Sequence, residues 1–213
     1  MREVDELVTG YREFLSETWP RQAALYRALA KEGQSPRVMI IACCDSRADP
    51  AAIFNAKPGA LFVVRNVANL VPPFEPHGSF HGTSAALEFA VKGLNVEHIV
   101  VLGHARCGGI AAFLDERHTH SGDQVFIAPW LSILNSVRAE ALQAAGDGSD
   151  AEGRQRALEH AGIRLSIKNL TSFSFIKERV ANRTLTLHGA YFDIATGALL
   201  SAEPESGAFE PVS

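Results

Sequence analysis

The sequence predicts an α/β fold, a central and mostly parallel sheet flanked by helices, with an N-terminal helical extension that packs on a neighbouring subunit. Three observations carry the sheet. Arg37 to Cys43 (RVMIIAC), Ala60 to Arg65 and His98 to Gly103 (HIVVLG) are short runs rich in branched apolar residues, as expected of strands buried on both faces. Segments of helical period lie between strands, and such crossovers favour a parallel sheet with helices on its faces. Chemically active side chains follow the ends of two of the runs, where ligands collect in sheets of this kind.

In chain order, Leu7, Tyr11, Phe14 and Leu15, then Ala24, Leu25, Ala28 and Leu29, recur at helical spacing around Pro20. Residues 3–32 therefore read as two amphipathic helices that need something to lie against. Gly33 to Pro36 is a stop signal before the first strand. Ahead of the third strand, Ala86, Leu87, Ala90, Val91 and Leu94 keep helical period until Gly93 and Asn95 end it. A polar loop, DERHTHSGD, leads to helical stretches near 126–145, 151–169 and 172–181, then a strand, Thr184 to Phe192, and a short one at Ala198 to Ser201. No repeat or low-complexity linker interrupts the chain. Residues 1–213 read as one domain, with 1–33 a helical arm and 34–213 the core.

Composition narrows the function. The chain has 213 residues, 46% of them apolar and 21% charged, enough for one substantial core. A formal net charge of −4 with no dense Lys/Arg run gives no electrostatic support for a nucleic-acid or anionic-membrane surface. The opening MREVDELVTGYREFL carries acids throughout, and no later stretch has the length of a membrane span, so the chain reads as cytoplasmic. In a reducing compartment three cysteines ligate metal or react more often than they form bridges.

Two segments concentrate the chemistry: IACCDSR (41–47), where the first strand stops, and GHARCGG (103–109), just past the third. His104 and Cys107, three apart at what reads as a helix start, can face one ion, and Cys43 from the other strand end supplies a third ligand. Zinc fits this set, since it takes thiolate sulfur and imidazole nitrogen in a tetrahedron, and three protein ligands leave one position for water. Asp45 and Arg47, two apart in a tight turn, can form a charge-assisted pair that keeps the carboxylate ionised and fixed in direction. Such a carboxylate would accept the hydrogen of a zinc-bound hydroxide and turn its lone pair toward an electrophile. Cys44 reads as a small buried residue facing away.

Cys43-Cys44-Asp45-Ser46-Arg47 with His104-Ala105-Arg106-Cys107 resembles the beta-class carbonic anhydrases, whose pattern is Cys-x-Asp-Ser-Arg followed by His-x-x-Cys. KPGALFVVRNVANLVPP (57–73), HGTSAALEFAV (81–91) and VVLGHARCGGI (100–110) are similar to the plant-like branch of that family. The resemblance implies one zinc per chain on Cys43, His104 and Cys107, and reversible hydration of carbon dioxide to bicarbonate by zinc-bound hydroxide, oriented by Asp45 and Arg47. It also implies a substrate pocket drawn from Gln34, Phe62, Val67, Phe89 and Gly108, and a homodimer or larger homo-oligomer in which Gln34 and Phe62 act across the interface. Phe89 stands where the branch often has Tyr, so a phenol hydroxyl is missing there. Ile40 stands where branches with a noncatalytic bicarbonate site usually carry Trp, so no such site is expected.

Two other functions fit the same zinc site: hydrolysis of carbon disulfide or carbonyl sulfide, and a non-catalytic zinc or redox-responsive regulator. Intact Asp45 and Arg47 argue against the regulator. His118 and His120, with Asp115, Glu116 and Asp123, read as a solvated loop, Arg106 as a solvated side chain, and His160 and His188 as ordinary helix and strand residues.

Overall fold

The computed structural model describes residues 2–78, 81–115, 124–146 and 148–212. Its strands are β1 (Val38–Cys43), β2 (Leu61–Asn66), β3 (His98–His104), β4 (Thr186–Phe192), β5 (Leu199–Ala202) and β6 (Phe209–Pro211). They form one sheet in the order β2-β1-β3-β4-β5-β6, parallel from β2 to β4 and antiparallel beyond. The mostly parallel sheet matches the sequence reading. β6 does not figure in that reading, because a three-residue strand ending in Pro211 has no hydrophobic pattern and is tolerated only at an edge.

β1 is buried on both faces, which is why its sequence runs apolar without alternation. Met39, Ile40, Ile41 and Ala42 are at most 1% exposed, and each such Met or Ile contributes about 1.5–3 kcal/mol. Met39 and Ile41 join Val101, Leu87 and Ile163 on one face, while Ile40 and Ala42 join Leu102 and Ala190 on the other. The register runs from Val38 opposite His98 to Ala42 opposite Leu102, so β1 and β3 end nearly level.

The arm consists of α1 (Arg2–Glu13), a π-helical stretch Phe14–Thr18 and α2 (Trp19–Glu32). Pro20 does not break it. The proline falls in the first turn of α2, where its missing N–H costs little, and the wide π turn carries the chain through, with the Trp19 N–H bonded to the Phe14 carbonyl. Phe14, Trp19 and Tyr26 pack their rings across this junction at 5.3–6.3 Å. No arm helix has a buried residue, and Val4, Leu7, Val8, Tyr11 and Leu15 form an exposed apolar stripe. α2 ends at Gly33, whose φ of 85° is open to glycine.

The remaining helices among the described residues are α3 (Pro50–Ile53), α4 (Gly82–Glu88), α5 (Gly108–Leu114), α6 (Ile127–Leu131), α7 (Asn135–Ala145), α8 (Ala151–Leu170) and α9 (Ser174–Ala181). The helical stretch read at 126–145 is divided by a tighter turn, Ser132–Leu134, between α6 and α7. α8 is the long helix against the sheet. Small residues let it approach: a Cβ at Gly189 of β4 would lie 2.9 Å from both Ile167 Cδ1 and Ala202 Cβ, and one at Gly103 of β3 only 2.6 Å from Ile163 Cδ1. Among the described residues no helix is long and apolar enough to cross a membrane.

His160 of α8 fastens the C-terminal hairpin, its ring stacked on Phe209 at 4.1 Å and edge-on to Tyr191 at 4.5 Å. Burial, with Arg164 and Arg156 nearby, lowers its pKa from 6.5 to about 4. The folded chain therefore holds His160 neutral while the unfolded chain protonates it, so this contribution to stability is complete above pH 6.5 and lost as pH falls toward 4. Urea midpoints measured across that interval are expected to fall less steeply in His160→Phe than in the native protein; equal slopes would refute the assignment.

Candidate metal centre

Two strand ends build the centre. β1 delivers Cys43, β3 ends in His104, and Cys107 caps the start of α5. The link between His104 and Cys107 is not the helical turn read from their spacing. Ala105 is tied to β4 through its N–H and the Phe192 carbonyl, and Arg106 takes a left-handed φ of 56°, which swings Cys107 back toward His104. The ligand atoms of Cys43, His104 and Cys107 all lie within 4.8 Å of one another, and all three residues are buried.

The donor set fits zinc. The Cys43 and Cys107 sulfurs are 3.8 Å apart. Two zinc–sulfur bonds of ~2.3 Å at a tetrahedral angle span roughly that distance. His104 places Nδ1 2.9 Å from the Ala105 carbonyl, which can only accept, so Nδ1 carries a hydrogen and Nε2 is left for the pocket. That Nε2 is buried without a hydrogen-bond partner. An unpartnered imidazole nitrogen beside two thiols is costly unless something ligates it. The hydrogen bond between the sulfurs lowers the first ionisation of the pair, while the same bond and burial push the second strongly up, so the two cysteines share one proton.

Asp45 stands over this cluster, its Oδ2 3.8 Å from His104 Nε2. Arg47 grips it with a two-pronged pair, Nε to Oδ1 at 2.9 Å and Nη2 to Oδ2 at 2.7 Å, and its backbone N–H adds a third bond at 2.9 Å. The Arg47 hydrogen bonds hold the Asp45 carboxyl well below the usual carboxylate range against the opposing effect of burial. Arg47 Nη2 also reaches the Arg106 carbonyl at 3.2 Å, joining the two loops. Cys44 corrects the sequence reading: it is exposed, because the strand ends at Cys43 and the chain turns outward while the Cys44 N–H stays bonded to Asn66.

The pocket residues divide. Val67 follows β2, its carbonyl held by Trp130 Nε1 at 2.8 Å, and a Cβ at Gly109 would lie 2.7 Å from Val67 Cγ1, so Val67 borders the Cys107 loop. Gly108 is exposed at the start of α5, with no neighbour within 4 Å of its Cβ direction. Phe62 pairs with Met39 in register, four residues before the end of β2, and so lies roughly 13 Å along the strand from the Cys43 level. Phe89 packs on Phe62 with ring centroids 5.8 Å apart, and Gln34 is exposed ahead of β1. One chain therefore does not bring Gln34, Phe62 and Phe89 to its own ligands. His118, His120, Glu116 and Asp123 lie outside the described residues.

The sequence reading misses the groups that hold the loops. Glu159 of α8, 4% exposed, accepts from the Cys107 N–H and Gln155 Nε2, each at 2.9 Å, and from Tyr191 OH at 2.7 Å. Burial raises its pKa against those bonds. Gln155 also donates to the Cys107 carbonyl at 3.1 Å. Farther along α8, Ser166 accepts from the Val71 N–H and Asn169 donates to the Val71 carbonyl, which fixes the segment beyond Val67. Gln155, Glu159 and Ser166 share one face of α8 at helical spacing, a polar stripe where hydrophobic periodicity looks for apolar residues.

A family model for carbonic anhydrase matches residues 38–199. Beta carbonic anhydrase 3 of Arabidopsis thaliana is 35% identical over 195 residues, 91% of this chain and 74% of that protein. Chloroplastic beta carbonic anhydrase 5 of the same plant is 39% identical over 79% of this chain, which spans 54% of that protein's length. Among solved structures, the beta-carbonic anhydrase CcaA superposes with a TM-score of 0.92 at 27% identity, over all of this chain and 93% of that one. A tetrameric beta-carbonic anhydrase of Sordaria macrospora gives 0.84 at 29% identity, over 99% of this chain and 100% of that one.

Replacing Glu159 by Ala strands the Cys107 N–H and the Tyr191 hydroxyl. Zinc affinity, measured by competition with a chromophoric chelator, is expected to fall about 10- to 100-fold. An unchanged affinity would mean that Cys107 needs no such support.

Proposed function

Because the chain belongs to the beta-class carbonic anhydrases, zinc enzymes of carbon dioxide hydration, we propose that it interconverts carbon dioxide and bicarbonate at the cluster of Cys43, His104 and Cys107. The observation that carries this reading is the Asp45 carboxylate, locked by Arg47 and 3.8 Å from the lone nitrogen of His104. Zinc, when bound there, supplies the Lewis acidity that makes water nucleophilic near neutral pH.

The chain's own residues supply direction. A carboxylate that Arg47 keeps ionised can accept a hydrogen and cannot donate one. Water or hydroxide seated next to His104 Nε2 must then turn a hydrogen toward Asp45 and a lone pair toward the open side of the pocket. Val67, beside the Cys107 loop, would wall that side, and exposed Gly108 would offer its backbone N–H to a bicarbonate oxygen. Carbon dioxide needs little more than an apolar approach to the nucleophile. The proton released in hydration passes to buffer or solvent. Since Asp45 titrates below the usual carboxylate range, activity that rises with pH above 5 reports water deprotonation and not this acid.

In this reading Gln34 and Phe62 complete the pocket of a second copy, Phe89 backs Phe62, and the apolar stripe of α1 offers the surface on which that copy would sit. We read residues 1–33 as the arm that joins copies and 34–213 as the single zinc-binding core.

Stopped-flow carbon dioxide hydration on protein of known zinc content tests the function. Fast turnover with about one zinc per chain is expected. Turnover in Asp45→Asn should drop about 10- to 100-fold with zinc retained, since the amide can present a donor where the carboxylate only accepts. No hydration by the zinc-loaded native protein would refute the proposal. A Leu7→Glu/Tyr11→Glu variant should show a smaller mass by light scattering together with reduced turnover; an unchanged mass would remove the arm from the interface.

A further inference from the structure

We infer that Arg65, on β2, is a positioning residue that sets the spacing between the Cys43 sulfur and the Asp45 carboxylate; the inference rests on the role proposed for Asp45. Arg65 reaches the loop after β1 on three sides. Its Nε donates to the Cys43 carbonyl at 2.9 Å and its Nη2 to the Asp45 carbonyl at 2.7 Å. Its Nη1 is paired with Asp49 Oδ2 at 2.7 Å. One planar edge of the guanidinium thus grips the main chain of a metal ligand and of the orienting acid, two residues apart.

The geometry is restrictive. Loop 44–49 belongs to no strand, and among the described residues the Asp45 carbonyl otherwise accepts only the Ala48 N–H, at 3.1 Å. Holding the carbonyls of residues 43 and 45 against one rigid fork fixes both peptide planes, and with them the directions in which the Cys43 and Asp45 side chains leave the chain. The fork is itself anchored. Asp49 binds Arg65 through Oδ2 while its Oδ1 caps α3 by accepting from the Ala51 and Ala52 N–H groups at 2.9 and 3.1 Å. The side chain of Arg65 is 28% exposed, so water competes with these bonds only in part. Arg47 then acts on a carboxylate whose backbone is already placed: Arg65 fixes where Asp45 stands, and Arg47 fixes how its carboxylate is turned.

The test uses the full chain, zinc-loaded, with Arg65→Gln, Asp45→Asn and the double variant. Arg65→Gln is expected to keep about one zinc per chain. Its kcat should fall about 10- to 100-fold, the loss that a misplacement near 1 Å produces. The double variant should turn over no more slowly than Asp45→Asn alone, because Arg65 acts through Asp45. Independently of turnover, the visible absorption bands of the Co2+-loaded protein should shift in Arg65→Gln, as the Cys43 ligand direction changes. Native turnover and cobalt bands in Arg65→Gln, or losses that multiply in the double variant, would overturn the inference. If Arg65→Gln does not fold, Arg65→Lys carries the test, since one ammonium keeps the charge but cannot grip both carbonyls; it should lose turnover with the same non-additivity, and native behaviour would overturn the inference. An Asp45→Asn variant as active as the native protein would instead overturn the role proposed for Asp45. Loss in Asp45→Asn with none at Arg65 would sink this inference alone.

Discussion

The centre depends on one constraint, the register between two parallel strands. Ala42 lies opposite Leu102, so β1 and β3 run out nearly level, and Cys43 and His104 meet although they are far apart in the chain. Parallel strands meet this way only if the intervening chain crosses back over the sheet, and here α4 lies in the chain between β2, on one side of β1, and β3, on the other. A slip of one residue would turn Cys43 or His104 to the other face. The register is held by the buried apolar layers on both faces of β1, so core packing and ligand geometry are one problem.

Beyond the strand ends the backbone is irregular, and polar side chains take over from apolar packing. Arg65 and Asp49 hold the first loop, Glu159 and Gln155 hold the second, and the Arg47 to Arg106 bond joins them. Arg65, Asp49, Gln155 and Glu159 all bind main-chain groups of these segments, so irregular backbone around the buried cluster is hydrogen-bonded without a strand or helix ladder. Glu159 is the extreme case: an acid on the buried face of α8 is unfavourable by itself, and donors from Cys107, Gln155 and Tyr191 offset its desolvation only in part. The ligands are consequently supported from β2, α3, α8 and β4, elements that contribute no ligand themselves.

The strands and the meeting of Cys43, His104 and Cys107 were legible in the sequence because they obey local rules. An apolar run buried on both faces announces itself, and Cys-x-Asp-x-Arg with His-x-x-Cys carries its chemistry in its spacing. What stayed hidden depends on distant neighbours. Glu159 sits in an ordinary helical stretch until β4 and the Cys107 loop are placed against it. Arg65 lies inside a strand and shows its function only when the loop after β1 folds over it. Cys44 was misread because alternation was carried one residue past the strand's end. The Asp49-Pro50 pair, a cap followed by a first-turn proline, is a local signal from which the short helix α3 could have been read.

The arm has a further consequence. A twelve-residue helix with no buried side chain gains nothing from tertiary packing, and helices of that length are marginal in water by themselves. The Phe14, Trp19 and Tyr26 cluster steadies the junction with α2 but lies outside α1. The helicity of α1 is then conditional on whatever covers Val4, Leu7 and Tyr11; with the second copy proposed above as the cover, order in residues 2–13 becomes a gauge of the chain's own concentration.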